Sequence, residues 1–332
     1  MGGKGTSAVS ERTFVSELQA GDQVDQVFAL RERMLRERRD GVPFLKMQLA
    51  DKTGEIEALV WDDAVSANAR VVGAEFVRVK GRVERYQRRN NLNVALLEPV
   101  AAEKVNVKSF LPETPRSRKE LWRQLDELRK SVREPHLARL LAAFFEEDAF
   151  VTQFVDAPAA RKFHHAYLGG LLEHTTQVAR LASTVADLYP GLDRDLLMTG
   201  ALLHDIGKVR EFKYTTSIDY TDEGRLLGHI VIGDRMVSER IAHISPFPEE
   251  LTQKVRHLLL AHHGELEYGS PVGIRIGEAF VLHFLDNMDA KLNMVRMLIE
   301  QIGESDSRWT PYDWRLGREL FLGERESGPP QL

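Results

Sequence analysis

The hydrophobic pattern of this chain changes its period once, and that change limits the fold more than any other feature. From about Arg12 to Val100, apolar residues alternate with others: Leu45, Met47 and Leu49 against Lys46, Gln48 and Ala50, then Ile56, Ala58 and Val60 against Glu57, Leu59 and Trp61. A period of two turns one side of each segment to a core and reads as strand. Beyond Pro112 and Pro115 the spacing becomes helical, with Leu121, Leu125, Leu128 and Val132 on one face, and no strand pattern returns after Phe150. A chain of 332 residues with two periods needs two cores. The expected architecture is multidomain, a small all-β barrel followed by an all-α bundle. It divides into a flexible tail at 1–11, a barrel at 12–105, a linker at 106–118, helices at 119–305 and a C-terminal segment at 306–332 that docks on them.

Turn chemistry separates the strands at Arg39-Asp40-Gly41, at Asp51-Lys52-Thr53-Gly54 and at Asn90-Asn91. Five or so short strands, with Gly81 placed for a bulge in the run from Phe76 to Tyr86, suit an OB-fold better than a sandwich. Basic residues gather at Arg31, Arg33, Arg36, Arg38 and Arg39, and again at Arg78, Lys80, Arg82, Arg85, Arg88 and Arg89. With Phe28, Phe44, Trp61 and Tyr86 they can form a surface that stacks bases and tracks phosphates. The same residues equally suit a solvated face around an architectural barrel whose core holds the aromatics. In the closing segment, Trp309, Tyr312, Trp314 and Phe321 can stack on bases or, more simply, dock that segment onto a domain surface.

Cysteine is absent, which removes disulfides, thiolate metal sites and a cysteine nucleophile together. Any metal must sit on His, Asp or Glu. No apolar stretch approaches the roughly eighteen residues of a membrane span. A cytoplasmic protein without a membrane partner is expected. The net charge of −5 gives no global attraction to nucleic acid, so such binding must rest on local basic surface.

The chemistry lies in the helical half. Leu171, His174, Val178, Leu181 and Val185 share one helical face, so His174 points toward the core. A helix from Arg194 carries Leu197, Ala201 and His204 on one face and runs into His204-Asp205-Ile206-Gly207-Lys208, where Gly207 is expected to stop it. Gly228-His229 opens a helix, His262-His263-Gly264 closes one, and Asp286 and Asp289 lie three apart on a helix that begins near Glu278. A buried carboxylate beside inward imidazoles costs several kcal/mol unless a cation offsets it. The cluster asks for a metal.

In order, His174, His204-Asp205 and Asp286 repeat the H…HD…D signature, and the chain resembles the HD superfamily of metal-dependent phosphohydrolases, with His229 and His262 similar to its two-metal extension. More narrowly, the run from His164 through His165, Tyr167, Gly169, Gly170 and Glu173 to His174 resembles the YhaM-type 3′–5′ exoribonucleases. So do His263-Gly264-Glu265 and Tyr268-Gly269-Ser270-Pro271. That family places an OB-fold before the HD domain. The likeness spans about Arg12 to Phe321, and only Val272 to Gly277 departs from a more proline-rich stretch.

The resemblance implies one ion on His174, His204, Asp205 and Asp286, and a second on Asp205, His229 and His262. Sequence leaves open whether His263 replaces or assists His262, and whether Asp289 substitutes for Asp286. Two such ions can activate a shared water for in-line attack, Asp205 bridging them. Lys208 can stabilise the added charge or protonate the leaving group. His164 and His165 are expected near the scissile phosphate, with Arg161 and Lys162 on the adjoining one; otherwise the two histidines are helix-start residues making local hydrogen bonds. Hard and borderline ligands favour Mn2+ or Mg2+, with Mn2+ first and Fe2+ or Zn2+ as alternatives.

The expected activity is 3′–5′ exonucleolytic hydrolysis of single-stranded RNA, and of single-stranded DNA as a second substrate, to nucleoside 5′-monophosphates. Exposed faces of the helices from Leu121 to Phe145 allow a homo-oligomer. Two alternatives stand beside this: a phosphohydrolase of mononucleotides or cyclic dinucleotides whose barrel regulates or assembles, and a nucleic-acid-binding protein with an inactive HD site.

Overall fold

A computed structural model describes residues 12–86, 89–106, 109–161, 165–302 and 307–323. The flexible tail expected at 1–11, and the candidates Lys162 and His164, lie outside them. The chain divides into two compact units, one comprising 1–113 with 215–217 and the other the remainder.

The first unit is a closed five-stranded barrel. Strands β1 (Gln23–Glu37), β2 (Pro43–Asp51), β3 (Gly54–Val60), β4 (Phe76–Tyr86) and β5 (Arg89–Val100) run in the order β1-β2-β3-β5-β4. Only the β3–β5 closure is parallel. The alternation sets the register directly: Leu45, Met47 and Leu49 face Val60, Ala58 and Ile56 across β2 and β3. All six are buried, the five larger side chains each contributing up to about 1.5–3 kcal/mol by leaving water and Ala58 less. Gly81 sits at an irregularity of the β4–β5 ladder, where a Cβ would lie 2.2 Å from the Asn93 carbonyl oxygen. This is the expected bulge, and the barrel is an OB-fold.

Three details differ from the sequence reading. A helix, α1 (Ala64–Arg70), joins β3 to β4 and buries Ala64 and Ala67 in the core; its seven residues are too few to display a period. Asn90 and Asn91 belong to β5 rather than to a turn, paired with Arg85 and Glu84. Phe110, in the stretch read as a linker, is buried edge-on against Phe76 at 4.9 Å between ring centres.

The second unit packs nine helices among its described residues: α2 (Arg118–Lys130), α3 (Pro135–Phe145), α4 (Asp148–Asp156), α5 (Gly170–Leu188), α6 (Arg194–Leu203), α7 (Lys208–Glu211), α8 (Asp222–Ala242), α9 (Glu249–Ala261) and α10 (Gly277–Ile302). Helix α5 is central, packed on α2, α4, α6 and α10, and buries most of its first half. Asp193 and Thr221 cap α6 and α8, accepting from the backbone N–H of Leu196 and Gly224, each cap worth about 1 kcal/mol. A hairpin of β6 (Phe212–Tyr214) and β7 (Ile218–Tyr220) interrupts the helices, so the domain is not purely α. Strands of three residues are too short to display a period. No described helix is long and apolar enough to cross a membrane.

The closing segment carries Trp309–Phe321 and Asp313–Arg318 bridges within itself. Its aromatics Trp309, Tyr312, Trp314 and Phe321 are all at least half exposed.

Candidate metal centre

Each candidate ligand is delivered by a helix or a helix end. His174 lies one turn into α5, His204 caps the C-terminus of α6, and Asp205 follows in the turn before α7. Helix α8 breaks at Gly228, whose φ of 72° and ψ of 156° suit only glycine, so His229 begins the second part of that helix. His262 caps α9, and Asp286 lies on α10.

Four imidazoles are locked by the nitrogen that faces away from the centre. His204 Nδ1 donates to the Ala201 carbonyl at 3.0 Å and His262 Nδ1 to that of Leu259 at 2.7 Å. His174 Nδ1 meets Asp289 Oδ2 at 2.7 Å, and His229 Nδ1 meets Glu211 Oε1 at 3.1 Å. With Nδ1 as donor, every Nε2 lone pair is free to coordinate.

Asp205 divides these nitrogens into two groups. Its Oδ2 lies 3.4 Å from the Nε2 of both His174 and His204, and Asp286 Oδ1 completes this side at 3.2 Å from His174. Its Oδ1 lies 3.5 Å from His229 Nε2 and 3.8 Å from His262 Nε2. His263 joins the latter side, with a nitrogen within 4.8 Å of those of His229 and His262.

The residues fit a divalent cation on each side. Asp205 Oδ1, His229 Nε2 and His262 Nε2 are buried without a hydrogen-bond partner among the described residues, a deficit of about 1–3 kcal/mol each that coordination removes. On the other side the Nε2 atoms of His174 and His204 face each other at 3.1 Å, an arrangement that needs a proton or a cation between the lone pairs. In the chain by itself a proton serves. Burial opposes the charge on His174, but hydrogen bonds to Asp286 and Asp289 outweigh it and push its pKa up to about 10. Burial likewise works against the Asp205 carboxylate, and Lys208 and His204 hold it well below the usual range.

Lys208 Nζ lies 2.6 Å from Asp205 Oδ2 and is buried. Burial disfavours its ammonium, yet Asp205 and Asp286 keep it charged and raise its pKa. That suits charge stabilisation and argues against the other role considered, donation of a proton.

Two candidates take other places than expected. Asp289 accepts from His174 Nδ1 and from His165 Nε2, at 2.7 and 2.9 Å, on the side of His174 away from Asp286; His165, His174 and Asp289 form a further group whose ligand atoms lie within 4.8 Å of one another. The α5 helix begins at Gly170, and His165 lies before it in a left-handed conformation with φ of 54°. Only 2% exposed, with Nδ1 2.9 Å from the Tyr167 hydroxyl, His165 has both ring nitrogens engaged and cannot meet a scissile phosphate. Arg161 is tied to Asp219 on the β6–β7 hairpin at 3.3 Å.

Glu211, Asn293 and His283 support the centre and were missed in the sequence, while Tyr167 and Glu173 were singled out there only as part of the resemblance, without a role. Asn293 follows Asp286 by seven and Asp289 by four, so one stripe of α10 carries all three, a spacing that could have found it. His283 Nδ1 meets the His262 carbonyl at 3.0 Å, and its ring occupies the space a Cβ at Gly264 would need.

On the barrel, the proposed stacking surface shrinks. Phe28 is wholly buried, and Arg78 and Lys80 are paired with Asp25. What remains is Phe44 stacked on Trp61 at 5.1 Å, Arg38 over that indole at 4.4 Å, and the exposed Tyr86.

Comparison with known proteins gives the family. Residues 171–291 match the HD domain family model. The chain is 36% identical over 285 residues to the 3′–5′ exoribonuclease YhaM of Bacillus subtilis (strain 168), covering 86% of this chain and 90% of that one. The same-named proteins of Geobacillus sp. (strain WCH70) and Listeria monocytogenes serotype 4b (strain CLIP80459) are each 34% identical, covering 86% of this chain and 87% and 90% of theirs. With relatives this similar over both units, the chain belongs to the YhaM family of 3′–5′ exoribonucleases, and its helical unit is the HD-type, metal-dependent phosphodiesterase domain of that family.

Proposed function

We propose that this protein shortens single-stranded RNA from its 3′ end, and single-stranded DNA as a second substrate, by two-ion hydrolysis to nucleoside 5′-monophosphates. The observation that carries the reading is Asp205, whose two oxygens face two separate nitrogen clusters. His174, His204, Asp205 and Asp286 would hold one ion, and Asp205, His229, His262 and His263 the other, with Mn2+ favoured by the mixed carboxylate and imidazole set. Divalent cations bound there supply Lewis acidity, activating water for attack on phosphorus and neutralising the phosphoryl oxygens. Lys208 keeps its ammonium beside Asp205 and adds positive charge where the transition state gains negative charge. The bond to the 3′ oxygen of the preceding nucleotide breaks, leaving a new 3′-hydroxyl and releasing the terminal nucleotide with its 5′-phosphate.

The barrel delivers substrate to this site. Arg38, Trp61, Phe44 and Tyr86 form the patch suited to a single strand, since stacking on aromatics tolerates any base. The relatives' name supports RNA as substrate and the 3′–5′ polarity. Absence of a membrane-spanning helix among the described residues is consistent with action in the cytoplasm. Mn2+-loaded protein incubated with 5′-labelled single-stranded RNA and DNA and with small nucleotides tests the reading. Ladders that shorten stepwise from the 3′ end are expected on RNA. Turnover of mononucleotides or cyclic dinucleotides without ladders would replace it with the small-molecule phosphohydrolase.

A further inference from the structure

Behind the first ion site a chain of buried hydrogen bonds leads away from the chemistry. Asp289 Oδ2 accepts from His174 and is also 2.9 Å from His165 Nε2. His165 Nδ1 meets the Tyr167 hydroxyl at 2.9 Å. That phenol oxygen in turn lies 3.0 Å from Glu173 Oε2, 3.1 Å from Arg296 Nη2 and 3.3 Å from Asn293 Nδ2. Glu173 Oε2 accepts from Thr114 Oγ1 at 2.5 Å, and Asn293 Oδ1 accepts from the His165 backbone N–H at 2.9 Å. Tyr167, Glu173, His165 and Asn293 are all buried.

Burial of this many polar groups is costly unless each is satisfied, and an apolar core at the start of α5 would be cheaper. The first turns of α5 are buried beside apolar neighbours such as Leu171, Leu172 and Val178, so packing alone does not call for a carboxylate at Glu173. The chain has a direction as well. Proceeding outward, each member constrains the one before it, and the constraint ends on the imidazole whose Nε2 faces Asp205 and Asp286.

We infer that Tyr167, clamped between Glu173, Arg296 and Asn293, is a positioning residue for the first ion site, fixing His174 through His165 and Asp289. The inference rests on the two-ion reading and deepens it. Tyr167 touches neither substrate nor ion; it determines how rigidly a ligand is presented. Removing its hydroxyl takes away the 2.9 Å partner of His165 Nδ1 and leaves that nitrogen only the more distant Asn293 Nδ2 at 3.4 Å, which loosens the ring that sets Asp289 against His174. Partners at this remove from an ion change affinity by about tenfold to a hundredfold when lost.

The test is Mn2+ titration of the full-length, chelator-stripped protein, by calorimetry and by Mn2+ electron paramagnetic resonance, with the thermal midpoint of the metal-free form measured alongside. Tyr167→Phe is expected to weaken one of the two Mn2+ sites about tenfold or more and leave the other unchanged. Glu173→Gln, which keeps shape and disturbs the same chain, is expected to shift the same site and serves should the first variant fail to fold. A purely structural role would lower the metal-free midpoint and leave both affinities at parental values, which overturns the inference. A parent protein that binds fewer than two Mn2+ ions overturns the two-ion reading and the inference together. Two parental sites with unchanged affinities in both variants overturn the inference alone.

Discussion

At the scale of single residues, the centre is governed by which nitrogen of each histidine is occupied. Backbone carbonyls hold His204 and His262, and carboxylates hold His174 and His229, so four rings present Nε2 to the same small volume. This arrangement couples protons to metal. In the chain by itself His174 has its pKa raised to about 10, against an ordinary value of about 6.5. A group whose folded pKa is raised stabilises the fold fully below its unfolded pKa and stops doing so as pH climbs through the folded one. The melting temperature of chelator-treated protein should therefore fall between pH 6.5 and pH 10, as followed by differential scanning fluorimetry. Metal must displace that proton, so Mn2+ affinity should rise over the same range. A metal-free melting temperature that increases steadily across the interval would show that His174 is not held protonated.

At the scale of elements, helix ends do the positioning, and two glycines permit it. Gly207 is expected from sequence to stop α6, which ends at Leu203, before the turn reaches that glycine. The φ of Gly207, −61°, is ordinary right-handed helix, and its value lies elsewhere: a Cβ there would fall 2.0 Å from the His229 carbonyl oxygen. The turn carrying Asp205 and the helix start carrying His229 thus approach backbone to backbone. Gly207→Ala should cost about 1–3 kcal/mol by overpacking and push His229 away from Asp205. Circular dichroism melts should register the loss, and Mn2+ titration should find the site of His229 weakened more than that of His174. Equal loss of affinity at both sites in this variant, relative to the parent, would mean the backbone yields elsewhere. The sequence signal here was real but misattributed, since glycine marks both left-handed turns and close approaches and only the neighbouring chain distinguishes them.

At the scale of the molecule, a barrel and a helical hydrolase are joined through the stretch around Glu113 and Thr114. A tethered binding module raises the local concentration of substrate at a second site. A chain beginning at Thr114 should therefore retain hydrolysis of dinucleotides within a few-fold while losing about tenfold or more on long single-stranded RNA, measured as initial rates on the two substrates. Equal losses on both would show that the barrel supports folding instead of delivery. Raising salt from 50 to 200 mM should weaken the full-length protein on long RNA more than the truncated one, because the phosphate contacts that release counterions would lie on the barrel.

Much of this protein is legible in its residues alone. Alternation at Leu45, Met47 and Leu49 sets β2 and its inward face, because the side-chain period of a strand allows one register against a core. The ordered His174, His204, Asp205 and Asp286 mark the centre, because ionisable groups on apolar helical faces need a partner. Helix α1 and the β6–β7 hairpin were not legible, being too short for a period to show. Nor was the division of labour among neighbours. Asp289 and Asp286 are alike in sequence, yet one faces His174 Nδ1 and the other Nε2, a difference set by how α10 lies across α5. His165 resembled a catalytic group until folding placed Asp289 and Tyr167 on its two nitrogens. Local sequence determined which residues point inward; the packing of distant helices decided which of them meet, because spacing along the chain constrains direction and only tertiary contact sets distance.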